Sequence, residues 1–147
     1  MKLLNFLKEN NKTISTCESC TGGLLGSVLT EFPGSSKFYK GGFITYTNEM
    51  KSKLLGISLN YINAFTAVSK QVAKKMSLQT NKIFNTDITI STTGYAGPND
   101  GDKNGLVYIS VFTRWNSIVK VYELNIKGDR NTVRNKIIFY ILNDITF

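Results

Sequence analysis

The spacing of apolar positions changes repeatedly along the chain, and each change marks an element. Leu3, Leu4 and Leu7 carry the three-and-four spacing of a short amphipathic helix over residues 2–10. The β-branched run TIST at 13–16 predicts a short strand, and Leu24, Leu25, Val28 and Leu29 return to helical spacing up to about Thr30. Pro33-Gly34 signals a turn at 32–36. Residues 41–47, GGFITYT, read as a strand, and NEMKSKLLG at 48–56 as a short helix that Asn48 is placed to open and Gly56 to close. A longer helix begins at Ser69, with Val72, Ala73, Met76, Ile83 and Phe84 on its apolar side. DITISTT at 87–93 has the β-branched content of a strand. Strands at 106–112 and 117–126 are separated only by TRWN, which predicts a hairpin. Asp129 then caps a helix in which Val133, Ile137 and Ile141 recur every four residues, with Ile138 and Leu142 beside them.

Helices and strands thus alternate through one domain spanning residues 1–147, with no internal repeat, linker or low-complexity segment. The expected fold is a layered α/β/α sandwich around a mixed sheet, with helices on both faces. A 41% hydrophobic content is enough to build a core without disulfides or a structural metal. No window approaches 18 consecutive apolar residues, and the N-terminus alternates apolar and charged positions without a continuous apolar run. A cytoplasmic protein with no membrane span is therefore expected.

One absence narrows the chemistry sharply. The chain has no histidine, which excludes Ser-His-Asp and Cys-His hydrolases and every histidine base. Acid–base work must fall to carboxylates, Tyr, Cys or Lys. Cys17 and Cys20 form a C-x-x-C, but two cysteines without histidine cannot complete a structural zinc site. Glu18 between them opposes the thiolate that a redox pair needs. No metal and no organic cofactor is expected. The net charge of +8 comes from scattered lysines and only three arginines, without basic runs interleaved with aromatics. Nucleic-acid binding is therefore not expected, although a small anionic substrate would be attracted.

The densest chemistry lies in STCESCTGG, residues 15–23. A strand, then Cys17-Glu18-Ser19, then a helix opening at Thr21-Gly22-Gly23 places Ser19 at a strand-to-helix corner, beside backbone donors suited to an oxyanion. The logic is that of a nucleophile elbow, without the G-x-S-x-G motif. The plain alternative is that Ser19 or Thr21 only caps the helix. Lys51 falls near the positive end of the 48–55 helix, where its charge is disfavoured and its pKa lowered, as a general base for a serine requires. Tyr46, just ahead of that helix, offers a phenol to relay a proton or hold the amine. The plain alternative for Lys51 is an ordinary surface lysine.

ESCTGG (18–23), PGSS (33–36), GGFITYTNEMKSKLLGI (41–57), AVS (67–69), TGYAGP (93–98) and GDRNTVR (128–134) occur in the order found in CinA-like C-terminal domains. The chain resembles that family from about residue 2 to 143. Stand-alone members are nicotinamide-nucleotide amidases, sometimes called competence/damage-inducible proteins. The resemblance implies deamidation of nicotinamide mononucleotide to nicotinate mononucleotide and ammonia in pyridine-nucleotide salvage. It assigns Ser19 as nucleophile with Tyr46 and Lys51 as its catalytic partners. Substrate binding would fall to Glu18, Cys20, Thr21, Gly22 and Gly23 around the nucleophile, and to Gly94, Ala96 and Gly97 in the glycine-rich loop. The substrate phosphate calls for its own partners, either the glycine-rich Gly94–Gly97 loop or Arg130 and Arg134, four apart on one helix face; the plain alternative for the two arginines is a solvated helix face. A homo-oligomer, dimer or larger, is expected.

The chain also departs from the family pattern. Cys17 stands where the family usually has alanine, and Tyr95, Asn99 and Asp100 alter the usual loop. The N-terminal domain of larger members, associated with ADP-ribose pyrophosphatase activity, is not expected within these 147 residues. The alternative function is a catalytically weak or inactive module in protein or nucleic-acid interaction linked to competence or DNA damage. The intact Ser19, Tyr46 and Lys51 set argues against it.

Overall fold

The alternation anticipated from the sequence is present in the computed structural model, which describes residues 1–147. In chain order the elements are α1 (Lys2–Glu9), β1 (Ile14–Glu18), α2 (Leu24–Thr30), β2 (Tyr39–Ile44), α3 (Asn48–Leu55), α4 (Leu59–Phe65), α5 (Lys70–Phe84), β3 (Ile88–Gly94), β4 (Leu106–Thr113), β5 (Ile118–Asn125) and α6 (Arg130–Asn143). The five strands form one mixed sheet in the order β2-β1-β3-β4-β5. β1 runs parallel to both its neighbours, whereas β3, β4 and β5 are antiparallel in sequence. The α/β layering with helices on both faces is as expected.

Side chains alternate across the sheet, so each strand serves two different layers. On one face Ile14, Ile88, Ile90, Val107, Ile109 and Val111 join Leu3, Leu4 and Leu7 of α1, Leu25 and Leu29 of α2, and Val133, Ile137 and Ile141 of α6. Twenty buried apolar residues make this core, each large one contributing about 1.5–3 kcal/mol. The other face packs α3, α4 and α5 over only six buried apolar residues, among them Cys17, Ile62, Val72 and Met76. Hydroxyls fill the remainder. Ser15 Oγ bonds Thr86 Oγ1 and Thr89 Oγ1, Ser77 Oγ bonds Ser110 Oγ, and Ser91 Oγ donates to the Ala73 carbonyl. Asn81 Nδ2 donates to the Thr86 carbonyl and to Thr89 Oγ1, closing the network.

Local capping follows the sequence closely at two helices. Ser69 accepts from the Val72 amide to start α5, and Asp129 accepts from the Thr132 amide to start α6. At α3 the cap is Thr47, whose hydroxyl accepts from the Met50 amide, while Asn48 is already helical. Gly56 closes that helix with φ 66°, the left-handed conformation that glycine adopts freely. β2 begins at Tyr39 and ends at Ile44, earlier than the expected 41–47, which releases Thr45–Thr47 into a loop. α2 begins at Leu24, leaving Thr21–Gly23 as a turn. α4 shows no apolar period in the sequence; Ser58 caps it, accepting from the Tyr61 amide. The segments leaving β1, β2 and β3 at their C-terminal ends converge on one edge of the sheet, where ligands of open α/β sheets bind.

Candidate active site

Ser19 is the first residue beyond β1, and its amide donates to the Thr92 carbonyl of β3 at 3.0 Å. The turn that follows uses Gly22 and Gly23 at φ 59° and 95°. The α2 amides are capped from outside the helix. Glu18 Oε2 accepts from the Gly23 and Leu25 amides, both at 3.0 Å, and Oε1 from the Gly26 amide at 2.8 Å. A buried carboxylate satisfied by three amides at a helix start is stable there. Its presence answers the plain alternative for the corner: α2 needs neither Ser19 nor Thr21 as a cap. Thr21 Oγ1 instead pairs with Thr92 Oγ1 at 2.7 Å. Ser19 Oγ is left for other work.

The partner of Ser19 Oγ is Lys51 Nζ, 3.0 Å away, and Nζ also donates to the Thr45 carbonyl at 2.9 Å. Lys51 is no surface lysine, since only 1% of it is exposed. Neither of the two ion pairs in the molecule involves it; both rest on Asp87. Burial disfavours the ammonium and lowers its pKa below the ordinary lysine value, and only a charged Cys17 or Cys20 thiolate would pull the other way. Those thiols are themselves buried. Burial raises Cys17, and Cys20 is pushed up to about 12, so both are uncharged near neutral pH. The amine therefore faces a serine hydroxyl, a carbonyl and neutral thiols, with no counter-charge.

Ser19 and Lys51 open into a cavity of about 300 Å³ that Cys20, Tyr46, Gly94, Ala96 and Arg130 also line. Tyr46 is exposed, and its Oη accepts from Arg130 Nη2 at 2.6 Å. Arg130 Nη1 donates to the Gly97 carbonyl at 2.8 Å, so one guanidinium braces two loops at the cavity mouth.

A family model for the CinA C-terminal domain matches residues 1–146. The chain belongs to that family. A CinA-like protein of Flavobacterium psychrophilum is 49% identical over 110 residues, covering 73% of this chain and 26% of its own length. The chain spans about a third of the length of several curated relatives it matches. Among solved structures, the competence/damage inducible protein CihA of Agrobacterium tumefaciens superposes with a TM-score of 0.90 at 32% identity, covering 96% of this chain and 87% of that one. The competence damage-inducible protein A of Klebsiella pneumoniae gives a TM-score of 0.90 at 29% identity, covering 96% and 88%.

Within this CinA-family domain, several expected site residues turn out to support the cavity from outside. Glu18 is committed to α2, and neither Thr21, Gly22 nor Gly23 lines the cavity. Arg134 does not join Arg130; its Nη2 donates to the Thr21 carbonyl at 2.9 Å and buttresses the corner from α6. Gly97 contributes its carbonyl to Arg130 rather than a surface to the cavity. Tyr46 bonds neither Ser19 nor Lys51, and the Thr45 carbonyl holds the amine in its stead. Asn48, Ala67, Val68, Thr93, Tyr95 and Asp100 complete the lining. Thr93 Oγ1 donates to the Ala67 carbonyl at 2.8 Å and fixes that wall. AVS and TGYAGP were visible as motifs, but only the fold brings Ala67 and Thr93 together.

Proposed function

We propose that this domain hydrolyses the carboxamide of nicotinamide mononucleotide, releasing ammonia and nicotinate mononucleotide, as a step of pyridine-nucleotide salvage. The observation that carries the reading is the buried Ser19 Oγ–Lys51 Nζ contact at 3.0 Å, made by an amine whose charged form burial disfavours. A serine needs a base to become a nucleophile, and a lysine tuned in this way is one.

In this mechanism the Thr45 carbonyl takes one N–H of neutral Lys51, which leaves the lone pair to accept the Ser19 proton as Oγ attacks the carboxamide carbon. The amide of Cys20, which lines the cavity beside Ser19, donates to no carbonyl in the chain and is free to meet the developing oxyanion. One such donor is worth about 3–4 kcal/mol in related hydrolytic chemistry. The Lys51 ammonium then returns its proton to the departing amine, which leaves as ammonia. Water, deprotonated by Lys51, cleaves the acyl-serine and regenerates the hydroxyl. Arg130 presents its remaining N–H edge at the cavity mouth to the substrate phosphate, and the positive field of the chain favours the approach of an anion.

The test is to incubate the purified protein with nicotinamide mononucleotide and measure ammonia and nicotinate mononucleotide together. Equimolar formation of both is expected. Absence of both would overturn the reading.

A further inference from the structure

Thr80 Oγ1 on α5 is the one buried side-chain nitrogen or oxygen without a hydrogen-bond partner in ordinary reach. Burial pushes the Cys17 thiol up, and the Thr45 and Thr80 hydroxyls pull it partly back. Thr45 Oγ1 meets the Cys17 sulfur at 3.5 Å. Cys17 is fully buried, two residues before Ser19, on the strand at the centre of the site. Thr45 lies just past the end of β2, its amide bonded to the Glu18 carbonyl at 2.8 Å and its carbonyl to Lys51. Beyond Thr45 the chain leaves the sheet, so its hydroxyl contact is the side-chain anchor at that point.

We infer that Cys17 is a positioning residue of the serine–lysine pair: its sulfur fixes Thr45, and Thr45 through its carbonyl fixes Lys51 Nζ against Ser19. The sulfur acts as a polar neighbour, not only as apolar volume in the small core with Leu55, Ile62, Val72 and Met76. Valine and serine separate the two roles, since valine keeps the volume without the polarity and serine keeps the polarity with less volume. The other titratable groups around Lys51 are Cys20 at the corner and Tyr46, Asp100 and Arg130 across the cavity. Glu18 on β1 is held by its three amides. None of these changes in the variants below.

The inference rests on the serine–lysine reading but not on the identity of the substrate, and its main measurement uses no substrate. In the full-length protein labelled with 13C at lysine Cε, the Lys51 signal is assigned by its loss in Lys51→Arg and titrated against pH. Replacing sulfur by hydrocarbon makes the surroundings of the amine less polar, which favours its neutral form. The Lys51 midpoint should therefore fall by about 0.5 pH unit or more in Cys17→Val and stay near wild type in Cys17→Ser. Thr45→Val, which keeps the sulfur, should lower it similarly, and the double variant should go little further because the two act as one unit. Should Cys17→Val fail to fold, Thr45→Val carries the same test. With nicotinamide mononucleotide, kcat in Cys17→Val should drop about threefold or more at unchanged KM. An unmoved midpoint in both valine variants, or an equal displacement in Cys17→Ser, assigns position 17 to packing and overturns the inference. A wild type that releases no ammonia defeats the amidase reading instead, while the titration still decides the role of Cys17.

Discussion

The two faces of the sheet are built by opposite means, although the same strands supply both. Toward α1, α2 and α6 the inward positions of β3 and β4 are aliphatic except Thr92 and Thr113, and stability there is a matter of area and volume. Toward α5 the sheet presents Ser15, Cys17, Thr89, Ser91, Thr93 and Ser110, which are held by directional bonds. A hydroxyl bond contributes only about 1 kcal/mol net, so the polar face is the weaker half. What it supplies is orientation. The serine–lysine pair lies where that face reaches the edge of the sheet, and a buried amine is tolerable there because carbonyls and hydroxyls, rather than hydrocarbon alone, surround it. The aliphatic face supplies the stability that such a site does not.

The sharpest way to break this division is at the nucleophile. Ser19→Ala should lower kcat at least about a thousandfold while the unfolding midpoint stays put, because the hydroxyl is oriented but contributes little to the core. Lys51→Arg should be nearly as damaging despite keeping the charge, since guanidinium does not deprotonate near neutral pH. Near-wild-type turnover in Lys51→Arg would remove lysine from the role of base.

Adjacent residues of β3 compare the faces directly. Ile90→Ala should cost about 2–5 kcal/mol in urea unfolding, whereas Ser91→Ala, one residue on and facing α5, should cost about 1 kcal/mol. Equal losses would show that the polar face bears more of the stability than its hydroxyl bonds imply. At the cavity mouth, Arg130→Gln should raise KM for nicotinamide mononucleotide about tenfold with a smaller change in kcat. A pure kcat effect would point instead to its brace between Tyr46 and Gly97.

The smallest expected effect has an unusual sign. An unfolded lysine titrates at about 10.4, while burial sets Lys51 lower in the folded chain. Wherever the unfolded chain holds the extra proton, folding is penalised. The penalty is complete below the folded value and fades as pH rises toward the unfolded one. Lys51→Met should therefore abolish turnover yet raise Tm at pH 7 by roughly 2–4 °C, with the gain shrinking toward pH 10. Loss of stability in this variant would mean that the bonds of Lys51 to Ser19 and Thr45 outweigh its desolvation.

What is legible in the sequence obeys the same physics. α1, α5 and α6 announce themselves because each buries a stripe on the large core or along the sheet, and stripes have a period. α4 does not: it is seven residues long and buries only Ile62, too little to show a pattern. Ser19 and Lys51 were legible through local chemistry, a corner and a misplaced charge. The commitment of Glu18 to α2 was not, because a carboxylate beside a serine looks the same whether it faces a ligand or a helix end. Arg130 and Arg134 share a spacing that suggests a common target, yet the corner at Thr21 claims one of them. Partners fixed by tertiary contact leave no trace in spacing.

The distances along the chain between these partners bear on how the molecule comes into being. Ser19 meets Lys51 across 32 positions, Tyr46 meets Arg130 across 84, and Thr21 meets Arg134 across 113. Closing loops of that length is slow compared with winding a helix, which takes about a microsecond. During refolding the far-ultraviolet helical signal should therefore recover well before any turnover appears. The arginine that steadies the corner comes from α6, which also supplies Val133, Ile137 and Ile141 to the large core. The corner that carries Ser19 is finished only when α6 docks on it.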